Sequence, residues 1–238
     1  VTLIAPVFDP SGDHIDFFVA SRAHHAEIGG IAPGSMPSNS TELYQEGAAF
    51  EQWKIVSKGE FDDAGVLHHF MDVPGSYPGC SPSRRISDNI ADLKAQIAAN
   101  QKGRNLIEAL FREYNRKVVL FYMKAVKRTA EAAVRGLLRS LAAKYRGQLP
   151  LSAVDHMDDG STIALKVSID EGSGSAVFDF TGTGLQTLNC LNAPPAITAS
   201  AVLYSLRCMI GIDIPLNEGK HPRLASFAGR AHDTNRPM

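Results

Sequence analysis

Between Ile90 and Leu141 the apolar residues of this chain recur mostly at intervals of three and four, and on either side of that stretch they recur at intervals of two. The first spacing lines one face of a helix and the second one face of a strand. Residues 88–101 set Ile90, Leu93 and Ile97 on one stripe, with Asp88 in a first turn where the helix dipole favours an anion. Gly103 reads as a stop, a second helix follows over 105–114, and a long one over 118–145 carries Val119, Tyr122, Val126, Ala133, Leu137 and Leu141. Upstream, the apolar run 2–8, the turn residues Asp9-Pro10-Ser11-Gly12-Asp13 and the alternation of Ile15, Phe17 and Val19 predict a hairpin. Downstream of Pro150, Ile163, Leu165, Val167 and Ile169 alternate, Glu171-Gly172-Ser173-Gly174 turns, and Ala176, Phe178 and Phe180 alternate back. A last helix is expected over 195–210. The order predicts an α+β fold, β-hairpins flanking a central helical segment that includes one long helix, and not a regular βαβ alternation.

With 238 residues, 44% of them hydrophobic, the chain can bury a core of its own. Its 24 Lys and Arg against 25 Asp and Glu leave a net charge of −1, too little basic excess for a protein whose main partner is nucleic acid or an anionic membrane. No stretch approaches the roughly 20 apolar residues of a membrane span. Cys80, Cys190 and Cys208 are far apart and odd in number, which predicts neither a disulfide framework nor a CxxC zinc site and suggests a reducing, cytosolic setting. The chain opens Val1-Thr2-Leu3-Ile4-Ala5, inside a strand-like run, and is expected to be a piece of a longer polypeptide. The long helix carries Lys124, Lys127, Arg128, Arg135, Arg139 and Lys144 against a single Glu131. Without interleaved aromatics this reads as a solvated face.

Chemistry has two candidate locations. Arg22-Ala23-His24-His25-Ala26-Glu27-Ile28-Gly29-Gly30 lies where a strand empties into a glycine-rich loop, a place where polar groups can converge on a ligand. Alternation puts His25 and Glu27 on one face and His24 and Arg22 on the other. Imidazole suits Zn, Mn or Fe, and a carboxylate completes such a set; ordinary polar residues at a strand end are the plainer alternative. The second location is the stripe Asp88, Asp92, Gln96 and Asn100, which drifts about 40° per step along its helix. It reads either as the lining of a polar pocket or as an ordinary outer helix face. His68-His69 reads as packing, and Asp155-His156-Met157-Asp158-Asp159-Gly160 as a turn lacking the closing Glu of a calcium loop. Thr181-Gly182-Thr183-Gly184 and Gly29-Gly30 through Gly34-Ser35 lack the Lys-Ser/Thr pair of a phosphate loop, and no GxSxG nucleophile elbow is present.

Taken together, RAHHAEIGGIAPGSMPSNSTELYQEG (22–47), PGCSPSRRISDNIADLKAQIAANQKG (78–103), MDDGSTIALKVSI (157–169), FDFTGTG (178–184) and NAPPAITASAVLYSLRCMIGIDIPLNEG (192–219) resemble the hydantoinase B/5-oxoprolinase family, and within it the carboxy-terminal half of the eukaryotic ATP-dependent members. The resemblance covers residues 1–219 as one domain, partial at both ends, and leaves 220–238 as an atypical tail expected to be disordered. It implies an ATP-dependent cyclic amide hydrolase of glutathione metabolism, in which a hydantoinase A-like ATPase half binds ATP and phosphorylates the lactam oxygen of 5-oxo-L-proline. The half to which this chain belongs would complete ring opening to L-glutamate, in a cytosolic, homo-oligomeric enzyme. Alternatives are a hydantoinase or ketone carboxylase subunit, or a truncated remnant that only binds a partner half. Carboxylating relatives hold a divalent metal through a THxxD segment upstream of the TLIAPVF-like strand together with a histidine of HHxD. That implies a metal role for His24, with His25 second, and Asp92 and Gln96 as pocket-lining, substrate-binding groups. The usual HHxDIGG reads HHAEIGG here, with Glu27 in place of Asp, and the THxxD segment lies outside the chain, so the chain alone is expected to be inactive.

Overall fold

The computed structural model describes residues 1–34, 36–215 and 217; the tail expectation for 220–238 falls outside them. The chain divides into two compact units, one of residues 1–115 with 188–191 and one of 116–187 with the residues from Asn192 on. Helices and small antiparallel sheets alternate in blocks, an α+β fold with a long helical centre.

In the first unit β1 (Thr2–Phe8) and β2 (Ile15–Arg22) form the expected hairpin, Leu3 opposite Ser21 and Val7 opposite Phe17. Val1 and Ala23 exchange both backbone hydrogen bonds at the open end. Alternation along an antiparallel ladder therefore places Pro6 at a position whose N–H would face away from β2, so its missing donor costs the hairpin nothing. A short pair, β3 (Val56–Ser57) and β4 (Glu60–Phe61), leads into helical turns: α1 (Asp63–Leu67), a π-helical turn (His68–Asp72) and α2 (Val73–Gly75). The Asp62 side chain caps α1 by accepting from Gly65 N–H at 2.8 Å. Val66, Phe70 and Leu93 are completely buried and form the core with Ala48 and Ile55, enclosed by Leu3, Ile28 and Trp53. His69 lies against the rings of Phe50 and Trp53, at centroid distances of 5.6 and 4.6 Å, as a packing residue.

Helix α3 (Ile86–Tyr114) crosses the hairpin and corrects the expected stop at Gly103. The glycine sits inside a continuous helix, where a side chain's first carbon would meet Val19 of β2 at 3.6 Å. A helical glycine costs about 1 kcal/mol relative to alanine, but continuing the helix brings Phe111 edge-to-face onto Phe17, ring centroids 5.8 Å apart. Tertiary packing decides the boundary, and the helix ends at Asn115, whose φ is +67°.

The second unit contains α4 (Arg116–Lys144), a three-stranded sheet of β5 (Leu151–His156), β6 (Thr162–Asp170) and β7 (Ser175–Asp179), and α5 (Pro195–Ile210). Leu138, Ala176, Val202 and Leu206 are its buried centre, with Val134, Ile169 and Phe178 packed around them. Strand β5 was not expected; the predicted turn contracts to Met157–Gly160, closed by Gly160 N–H to Met157 O at 2.9 Å. Part of the basic face of α4 is engaged. Arg135 donates to Ser173 O and Ser175 Oγ, both at 3.0 Å, and Arg139 to Gly172 O and Ser173 O, fastening the β6–β7 turn to the helix. Among the described residues no helix is long and apolar enough to cross a membrane.

Leu93→Ala, which empties a fully buried position beside Phe70 and Val66, should lower unfolding stability by about 2–5 kcal/mol in urea titration.

Candidate functional site

Beyond Arg22 the chain leaves the strand, and burial keeps alternating along it. His24 and Ala26 are exposed; His25 and Glu27 are buried. The His25 side chain is 1% exposed and sits edge-on to Phe70, ring centroids 6.0 Å apart. Its Nδ1 lies 3.2 Å from Asp92 Oδ2, in contact but without the alignment of a hydrogen bond. Both ring nitrogens are buried without a hydrogen-bond partner among the described residues. Burial pushes the imidazole below its ordinary pKa, and the Asp92 carboxylate opposes it. The net result is a neutral ring at neutral pH. Asp92 is about half exposed, at 48%, so the pair runs from a buried nitrogen to the solvent.

Glu27 faces a different set of partners. Its Oε1 accepts from Gly29 N–H at 2.8 Å and from the Arg84 guanidinium. Its Oε2 accepts from Arg84 N–H at 2.7 Å and Ser83 Oγ–H at 3.1 Å. Burial alone would raise the carboxyl, but the bonds from Arg84, Gly29 and Ser83 outweigh it and hold Glu27 below the ordinary carboxylate value. Asn89 donates to the main-chain oxygen of Glu27 at 2.8 Å. The Gly29-Gly30 pair bridges to Ser81, with Gly30 N–H to Ser81 O at 2.9 Å and the return bond at 3.1 Å. Gly30 has a φ of +94°, and a side chain there would meet Gln45 O at 2.4 Å, so only glycine fits this close backbone approach.

The stripe Asp88, Asp92, Gln96, Asn100 winds from solvent into the interior, as its drift around the helix requires. Asp88 is exposed and paired with Arg85 at 2.7 Å; Gln96 and Asn100 are buried. Gln96 Nε2 donates to Val1 O at 3.1 Å and Ser21 O at 3.2 Å, and Asn100 Nδ2 donates to Leu3 O at 3.1 Å. These amides fasten α3 to the hairpin, leaving Gln96 Oε1 as a buried acceptor without a partner among the described residues. Of the residues singled out in the sequence, His25 and Asp92 come together; His24 stands apart on the surface, and the N–H groups of Gln96 are engaged by backbone. Ser83, Arg84 and Asn89 carry no role in the sequence reading: they lie within the family-like segment 78–103, but PSRR has no periodicity and Asn89 lies one position off the stripe.

The donor chemistry at His25 fits the beginning of a metal site: an orphaned neutral imidazole with a carboxylate beside it. Among the described residues no group of three or more His, Cys, Asp or Glu side chains gathers around it, so a complete set would draw on residues beyond these. A separate groove of about 730 Å³ runs along β1 between residues 52–58 and α3, lined by Leu3, Trp53, Leu93 and Asn100 among others; neither His25 nor Asp92 lines it.

Residues 1–225 match the family described as hydantoinase B/oxoprolinase. The chain is 50% identical over 219 residues to an uncharacterised Schizosaccharomyces pombe protein, 49% identical over 219 residues to a protein of Saccharomyces cerevisiae named 5-oxoprolinase, and 47% identical over 234 residues to 5-oxoprolinase 1 of Arabidopsis thaliana. Each match covers 92% of this chain, which in turn spans only 16%, 17% and 18% of the three relatives. By the extent of the family match, together with the order of its motifs, the chain belongs to the hydantoinase B/oxoprolinase family.

Proposed function

We propose that this chain is a segment of an ATP-dependent 5-oxoprolinase and belongs to the module that completes ring opening: 5-oxo-L-proline, ATP and two waters give L-glutamate, ADP and phosphate. The observation that carries the reading is the 47–49% identity to proteins named 5-oxoprolinase over 92% of the chain. A hydantoinase A-like ATPase half would bind ATP and activate the lactam oxygen, in keeping with the lack of a phosphate loop in this sequence.

Within the chain, His25 and Asp92 are the functional pair. His25 is favoured over His24 as a metal ligand because its imidazole is neutral, buried and without a hydrogen-bond partner, whereas His24 faces solvent. Asp92 would hold the ring in place or share its ligand, and Gln96 Oε1 offers an acceptor toward an N–H group. A divalent cation bound here supplies Lewis-acid activation of a carbonyl or of water. The remaining ligands would come from the longer polypeptide, so activity is assigned to that polypeptide.

In the full-length protein, His25→Ala and Asp92→Asn should each lower glutamate formation by about 10²-fold or more while phosphate release from ATP continues. His24→Ala should stay near wild type. Normal glutamate yield from His25→Ala would remove the histidine from the reaction.

The same preference for a neutral ring gives a pH dependence. Unfolded histidine titrates near pH 6.5 and takes up protons that folded His25 resists, so stability is full above about pH 6.5 and declines as the pH falls below it. His69, lowered chiefly by burial and then by the His68 charge, acts in the same window. Glu27, held below its ordinary value, adds a second loss below about pH 4.5. Urea unfolding across this range should therefore show two declines. His25→Phe should flatten part of the upper one and leave the lower one in place.

A further inference from the structure

The sequence sets Glu27 beside His25 as a natural co-ligand. Its surroundings assign it other work. Two donors reach each carboxylate oxygen: Gly29 N–H and the Arg84 guanidinium on Oε1, Arg84 N–H and Ser83 Oγ on Oε2. A carboxylate offers about four lone-pair directions; Gly29 and Arg84 fill three, and the single Ser83 hydroxyl proton is shared between Oε2 and Asn89 Oδ1. None of its hydrogen bonds among the described residues goes to His25 or Asp92.

These bonds close a ring of contacts. The Glu27 carboxylate holds Ser83 and Arg84, the two residues that run into the start of α3. The Glu27 main-chain oxygen holds Asn89 in the first turns of that helix at 2.8 Å. Ser83 Oγ also lies 2.5 Å from Asn89 Oδ1. One turn beyond Asn89 the helix presents Asp92, whose carboxylate stands 3.2 Å from His25, two residues before Glu27. Arg84 further fastens the glycine loop by donating to Gly30 O at 3.2 Å and Ala32 O at 3.4 Å.

We infer that Glu27 is a positioning residue: with Arg84 it clamps the segment of His25 to the entry of α3 and keeps the imidazole seated against Asp92. That it clamps stands on these contacts; what the clamp serves rests on the reading of His25 and Asp92 as the functional pair. Glutamine at position 27 would turn an N–H₂ group toward donors, so the isosteric change is disruptive. Methionine at position 84 removes the guanidinium while sparing the backbone bonds.

Carbethoxylation of the full chain by diethyl pyrocarbonate at neutral pH, read residue by residue by mass spectrometry, tests the inference without metal or turnover. In the wild type His24 should react readily and His25 slowly. Glu27→Gln should speed His25 modification about tenfold by opening its seat locally, with His24 unchanged. Arg84→Met, which serves even if Glu27→Gln fails to fold, should change the rate in the same direction, and the double variant should be no faster than Glu27→Gln. Asp62→Ala, which loses the α1 cap and the Trp53 bond but leaves the clamp, should keep His25 protected. Unchanged His25 protection in Arg84→Met and Glu27→Gln, or equal exposure in Asp62→Ala, would overturn the clamp. Loss of the pair's proposed chemistry, by contrast, would show in glutamate yield and leave these rates as they are.

Discussion

Side-chain amides on the inner face of α3 hold the first unit together. Asn89, Gln96 and Asn100 each donate into main-chain oxygens, of Glu27, of Val1 and Ser21, and of Leu3. The oxygens of Val1, Ser21 and Leu3 lie at paired positions of the ribbon, Val1 O already accepting from Ala23 N–H, so these amides add a second bond to carbonyls that have two lone pairs. A hairpin alone is marginal in water. Here it is fastened at several points along one helix, and that helix, through Leu93, also closes the apolar core. Hydrogen bonds of this type contribute about 1 kcal/mol each, and leaving one buried partner unmade costs more than the bond yields. Register between helix and hairpin is therefore fixed tightly, and with it the distance between Asp92 on the helix and His25, three residues beyond β2.

Most of the fold could be read from periodicity. The first hairpin, the long helix and the final helix fall within a few residues of where the spacing put them, because each has a continuous apolar face to bury. The failures have local causes. Gly103 looked like a stop, since local preference knows nothing of Val19 beneath it or of Phe17 waiting for Phe111. Strand β5 has almost no buried face, only Leu151 being partly covered, so it carried no alternation and is defined by its pairing with β6.

The site was half legible. Strand alternation separates His25 and Glu27 from His24, and helical drift places Asp92 and Gln96 on a common stripe. Neither could reveal that Glu27 is filled by Arg84, because that contact spans fifty-seven positions in sequence and the arginine sits in a segment without periodicity. Nor could a stripe that begins in solvent and ends in the core declare which of its members meets the histidine. The family match spans residues 1–225 without singling out a stretch; the pairing of His25 with Asp92 at the entry of α3 is read from the geometry.

The arginines of α4 carry a consequence for how this surface can vary. Arg135 meets Glu131 through Nε and Nη2 and both Ser173 O and Ser175 Oγ through Nη1, and Arg139 spans two successive carbonyls of the same turn. A lysine has the charge but not the fork, so exchange at 135 and 139 would keep the net charge and loosen the β6–β7 turn. At an exposed position such as Lys124 the two residues are interchangeable. The positive charge written along this helix is thus of two kinds, and sequence drift should respect one of them and ignore the other.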